Sequence, residues 1–191
     1  MTPATAAMSE RSAIGSSVLQ SASLAISVRR ATAADMPAIA ALVNRAYEVE
    51  SFFVDGDRTT TAEVAEMARA GAFLVLEQAR GELAAAVYVD FDAQRDSAYI
   101  GMLSVSPDVQ GRGLGTRLVR IAEALGEAMG CSSVGLRIVN LREDLGRWYR
   151  SLGYAEVGTS PYVRHRPVKQ PCHFIEMRRP LGVQLLGAAA A

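Results

Sequence analysis

The stretch Ala98-Tyr-Ile-Gly-Met-Leu-Ser-Val-Ser-Pro-Asp-Val-Gln-Gly-Arg-Gly-Leu-Gly-Thr-Arg-Leu118 decides how this chain is read. Its first part is an apolar run, which predicts a mostly buried strand. Pro107 and Asp108 end that run. Gln110-Gly111-Arg112-Gly113-Leu114-Gly115 follows, and then apolar residues at helical spacing. A strand, a glycine turn and a helix start make an anion site. The first N–H groups of a helix have no partner within it, and the helix dipole adds partial positive charge there. Glycine lets the backbone approach a phosphate closely because no Cβ intervenes. The expectation is a site for a phosphorylated cofactor.

Three glycine-rich loops compete for this hexapeptide. A triphosphate-binding P-loop needs Lys followed by Ser or Thr after its last glycine. Here Thr116 and Arg117 follow Gly115. A dinucleotide loop needs G-x-G-x-x-G. Its last position would be Thr116 or Leu118, so neither frame completes it. The third pattern, Q-x-x-G-x-G, is met by Gln110, Gly113 and Gly115. On these residues the chain resembles the GNAT superfamily of acyl-CoA-dependent N-acyltransferases. The alternative is an exposed turn between a strand and a helix that binds nothing.

The chain has 191 residues, enough for one domain with a core. Its 20 basic and 20 acidic residues cancel, which argues against a dedicated nucleic-acid or anionic-membrane binder. Cys131 and Cys172 make no disulfide framework and suit a reduced, cytoplasmic protein. With His165 and His173 they match no zinc spacing, so no metal is expected. No apolar run approaches the length of a bilayer span. Residues 1–23 are expected to be a flexible extension, 24–182 the domain, and 183–191 a frayed tail.

The remaining pattern runs in order. Leu24, Ile26 and Val28 alternate as in a strand. Asp35 reads as an N-cap with Pro37 in the first turn of a helix to Tyr47. A loop with a turn at Asp55-Gly56 leads to Thr59-Thr60-Thr61, which caps a helix ending near Gly71. Residues 72–77 and 83–89 read as a hairpin across Ala79-Arg80-Gly81, and a turn over 93–96 enters the opening strand. Leu114, Leu118, Ile121, Leu125 and Met129 share one face of the next helix, which Gly130 ends. Residues 133–139 form a strand parallel to the first because a helix crosses between them. A helix over 141–152, a strand over 154–157, a loop from Gly158 to Pro171 and a strand over 172–177 complete the chain. The order β-α-α-β-β-β-α-β-α-β-β predicts a mixed α/β sheet with helices on both faces.

A second stretch, Arg147-Trp148-Tyr149-Arg150-Ser151-Leu152-Gly153-Tyr154, also resembles the GNAT superfamily. The resemblance covers Leu24 to Leu181. A bacterial subgroup is most similar, through Ala46 to Arg58, Met102-Leu103 and Pro171 to Ile175. The resemblance implies that the strands before and after the glycine helix splay apart and that the pantetheine arm of CoA lies between them. It implies that Leu103, Ser104 and Val105 face the pantetheine and that Gln110, Gly111, Arg112, Gly113, Leu114, Gly115 and Thr116 cradle the pyrophosphate. Arg112 pairs with a phosphate or is merely solvated. Asn140 resembles a polar residue near the splayed strand's end, but relatives place an Asn where this chain has Arg142. Tyr149 matches the tyrosine that protonates the departing CoA thiolate; the alternative is a half-buried helix residue. A phenol is neutral at pH 7 and can act as that acid. Glu50, in the loop that lines the acceptor side in relatives, is the candidate base, or else a solvated loop charge. Asp55, Asp57, Arg58, Tyr88 and Tyr99 are further acceptor-side candidates. The expected function is acetyl-CoA-dependent N-acetylation of a primary amine of a small molecule or peptide, and the resemblance implies a homodimer, as is common in the family. The rivals are a non-catalytic acyl-CoA sensor and a nucleotide-binding protein.

Overall fold

The computed structural model describes residues 26–79, 81–92, 94, 96–163 and 167–182. The extension, Leu24, the centre of the first hairpin turn at Arg80, parts of the 93–96 turn and the tail lie outside these residues.

Seven strands form one sheet in the order β1-β2-β3-β4-β5-β7-β6. They are β1 (Ser27–Arg30), β2 (Ala72–Glu77), β3 (Leu83–Phe91), β4 (Ser97–Val105), β5 (Ser133–Val139), β6 (Ala155–Pro161) and β7 (His173–Pro180). The helices are α1 (Met36–Tyr47), α2 (Thr61–Ala70), α3 (Leu114–Ala128) and α4 (Glu143–Ser151). Every neighbouring strand pair is antiparallel except β4 and β5. The crossover through α3 makes that pair parallel.

The two-residue period of the strands sorts their side chains between two cores. Phe73 and Val75 of β2, with Ala86 and Tyr88 of β3, pack under α1 and α2. Leu76, Ala85, Val87, Val89 and Ile100 pack under α3 on the opposite face. Burial on both faces explains why β3 reads as a nearly continuous apolar run.

Several expectations are corrected. Asp35 does not cap α1 with its side chain. Its carboxylate accepts from the N–H and hydroxyl of Thr32 and takes both outer nitrogens of Arg29. The short turn Ala33–Asp35 consumes the cap one turn before the helix begins. Arg29 holds the Asp35 carboxyl well below the usual carboxylate range. Val28 is 42% exposed because β1 is an edge strand. The buried face of α3 is Leu114, Leu118, Val119, Ala122 and Gly126 rather than a stripe through Ile121. Gly126 belongs there because its surface meets Leu181, Ala98 and Val134. Residues 158–161 are strand, since β6 pairs with β7 as far as Pro161. The fourth helix starts at Glu143.

Candidate functional site

The parallel pair opens. β4 and β5 are joined only at Ser97–Ser133, Ala98–Val134 and Tyr99–Gly135. Beyond these, β4 keeps its bonds to β3 and β5 keeps its bonds to β7 as far as Val139. The cleft-facing edges of both strands therefore have no strand partner, and each carries polar groups that require one. A register shift in the β3–β4 pairing sets Met102 and Leu103 opposite Val87 alone. Met102 adopts φ 50° there, a left-handed conformation uncommon for a side-chain-bearing residue. Such a bulge bends its strand and re-aims its backbone groups, here at the point where β4 leaves β5.

The loop after β4 ends at an open helix start. Gly111 and Gly113 have φ of +76° and +75°, and a Cβ on either would meet nothing within 4 Å. Gly113 is the N-cap of α3, no side chain caps the helix, and no acidic residue stands in its first turn. Its leading N–H groups are thus left for an anion. The amide of Gln110 donates to the Val105 carbonyl at 3.1 Å, pinning the loop to the end of β4.

A cleft of about 500 Å³ runs from this loop along the opened strands. Leu103, Val105, Gln110, Gly111, Gly113, Leu114, Gly115 and Thr116 line it, as do Tyr149 and Glu50. The structure therefore brings most of the expected site residues together. Three stand apart from the lining. Ser104 is buried on the other side of β4 and donates its hydroxyl to the Met102 carbonyl. Arg112 is exposed beside the loop. Asn140 is bound to β7, with its side-chain oxygen accepting from the His173 N–H at 2.8 Å and its own N–H donating to the His173 carbonyl.

Tyr149 is 6% exposed and packs edge-on against Trp148 and Tyr154. Burial pushes its phenol well above the usual tyrosine value, and Tyr47, Tyr154 and Tyr99 add to the shift. It is a neutral proton source throughout the physiological range.

Glu50 is not a solvated loop charge. It ends the short turn Glu48–Glu50 and is 5% exposed. Its carboxylate lies 3.4 Å from an Arg142 nitrogen. Burial pushes its carboxyl up, while Arg58 and then Arg142 pull it down; the upward effect is the larger. Arg142 is held in place by two bonds to Asp144, at 3.0 and 2.8 Å. Its place in the site was not foreseen; the sequence signal was the departure from an Asn at this position.

A second cavity of about 290 Å³ adjoins the first. Tyr47, Glu50 and Arg58 line both. Asp55 and Asp57 line the second, Tyr88 packs in the core under α1, and Tyr99 sits beneath the Arg137 guanidinium.

A ligand suited to this cleft is long, carries amides to satisfy two strand edges, and ends in phosphate at the helix start. That demand and the opened mixed sheet define the GNAT class of acyltransferase fold. Residues 37–154 match the acetyltransferase (GNAT) family, and the chain belongs to that family. Among solved structures, the ribosomal-protein-S18-alanine N-acetyltransferase from Escherichia coli is similar at TM-score 0.69 and 20% identity, over 87% of this chain and 99% of that one. A GNAT superfamily phosphinothricin acetyltransferase from Sinorhizobium meliloti, in complex with acetyl-CoA, gives 0.67 and 20% over 87% and 92%. The yncA protein from Salmonella typhimurium, with its cofactor acetyl-CoA, gives 0.64 and 21% over 87% and 99%. No curated protein matches the sequence.

Proposed function

We propose that this protein is an acetyl-CoA-dependent N-acetyltransferase that acts on a primary amine. The observation that carries the reading is the continuity of one cleft from the open start of α3 to the buried pair Tyr149 and Glu50. Acetyl-CoA supplies the activated acetyl group as a thioester. The free edges of β4 and β5 bind the pantetheine amides, and the N–H groups of Gly113 to Thr116 bind the pyrophosphate. Two similar structures that hold acetyl-CoA support this choice.

The amine enters from the second cavity. An ammonium gives one proton to Glu50, whose burial favours accepting it. The N–C bond to the acetyl carbon forms and the C–S bond breaks. Backbone N–H groups at the β4 bulge polarise the carbonyl oxygen. Tyr149 gives the departing sulfur a proton, and the proton shed by the new amide nitrogen restores the phenol. Glu50 returns its proton to water. One ammonium and one thioester become one amide, one thiol and one proton. We place the enzyme in the cytoplasm and read it as a homodimer, by analogy with the family; light scattering on the purified chain tests the dimer.

Thiol release across an amine panel tests the reaction. Tyr149→Phe is expected to lower kcat by about 10²- to 10⁴-fold, the range of general acid catalysis, with acetyl-CoA affinity little changed. Tight acetyl-CoA binding with no turnover on any amine would instead make the protein a cofactor-sensing module.

A further inference from the structure

We infer that the acceptor carries a carboxylate on the same small molecule as the reacting amine, and that Arg58 receives it. The inference rests on the transferase reading above and names its substrate class.

Arg58 stands where the two cavities meet, with Tyr47 and Glu50. Its guanidinium lies over the Tyr47 ring at 4.7 Å. It is half-buried, its Nε–H is buried with no acceptor, and among the described residues it forms no ion pair. Its neighbours are Tyr47 and the Glu50 carboxylate, which it favours as an anion until Glu50 takes a proton. Arg45, the other cation of the second cavity, is paired with Asp108 at 2.7 Å. Arg142, beside Glu50, is committed to Asp144.

Of the acidic residues of that cavity, Glu50 is buried and already lies in the field of Arg58 and Arg142. Glu48 and Asp57 are exposed, and Asp55 pairs with Lys169 at 2.8 Å. Solvated carboxylates lose nothing when no cation sits on them. Arg58 therefore depends on Glu50 for its counter-charge and loses it when Glu50 takes a proton.

Proton transfer points the same way. Once Glu50 has taken the proton of the ammonium, it no longer offsets Arg58 and Arg142, and Asp144 is paired with Arg142. A carboxylate on the acceptor restores neutrality where the proton lands. A polyamine would add positive charge there, and the amine terminus of a protein brings no neighbouring carboxylate. A planar guanidinium fork also suits a carboxylate in a way that a point charge does not.

The test compares α-amino acids with their primary amides, their decarboxylated amines and spermidine as acceptors for the full-length protein with saturating acetyl-CoA. The expected result is a kcat/KM for one or more amino acids roughly 10- to 100-fold above the matching amide, the range of a hydrogen bond to a charged group. Arg58→Met should collapse that ratio toward one, and Arg58→Lys should restore part of it. Acetyl-CoA binding by each variant reports that it has folded. Amides or spermidine used as well as amino acids would overturn the inference and leave the transferase reading standing. So would a ratio that Arg58→Met leaves intact. Acetyl-CoA bound with no amine acetylated would overturn both.

Discussion

Tyr149, on α4, and Glu50, on the short turn after α1, reach the same cleft from places far apart in the chain, and each is buried. Burial acts on them in the same direction, because both are neutral acids that become anions. For Tyr149 the result is a phenol that stays protonated. For Glu50 it is a carboxylate whose proton affinity is raised. A base works in its deprotonated form, so the rate should fall as pH drops through the raised Glu50 value. The acid limb of kcat/KM should therefore lie above the ordinary carboxylate range. Glu50→Gln should remove that limb, leaving only the titration of the amine. A profile identical in wild type and Glu50→Gln would show that water or the acceptor itself handles the proton. The groups facing Glu50 here are Arg58 and Arg142, which lower its proton affinity, and Asp144, which raises it. Neutral Tyr47 lines the cleft beside it.

At the scale of elements, α3 is tied to the far edge of the sheet through one buried acid. Glu123 accepts from the Tyr154 hydroxyl at 3.0 Å and from Arg120 at 2.8 Å, and it also pairs with Arg179 of β7. The four groups close a network that joins the glycine-loop helix to the β6–β7 edge. Removing its central carboxylate takes a partner from the buried Tyr154 hydroxyl and from two half-exposed arginines. Glu123→Ala should cost about 1–3 kcal/mol in urea unfolding, the usual penalty for leaving a buried hydrogen-bonding group without its partner. A loss under 1 kcal/mol would mean that water replaces the carboxylate. Helical periodicity could not reveal this. An acid on the core side of α3 breaks the apolar stripe, and its partners lie 31 and 56 positions away. For the same reason the buried face of α3 was misplaced by part of a turn. Spacing ranks Ile121 with Leu118 and Leu125, but the contact surface includes Ala122 and Gly126, whose small size lets β4 and β5 come close.

Over the whole molecule the sheet is incomplete as it stands. On the proposed reading, acetyl-CoA completes the strand edges left unpaired between β4 and β5, so its binding and the chain's stability are linked. At acetyl-CoA near 100 times its Kd, stability should rise by about 2.7 kcal/mol. That corresponds to roughly 5–10 °C in Tm for a domain of this size. ATP and NAD should give little, and stabilisation by either without CoA would overturn the choice of cosubstrate. Much of this architecture was legible in the sequence. The element order, the crossover and the bounds of α1 and β5 follow from spacing and punctuation, because 3.6- and 2-residue periods and glycine stops are local properties. The glycine turn and the uncapped start of α3 followed too, since both are encoded in consecutive residues. The tertiary structure alone decided how far β4 and β5 stay joined, that Glu50 is buried against Arg142, and that Arg58 stands beside Glu50 where two cavities meet. Those depend on which distant side chains meet and how much water is left around them, and burial sets the energy of a charge in a way that its place in the chain does not.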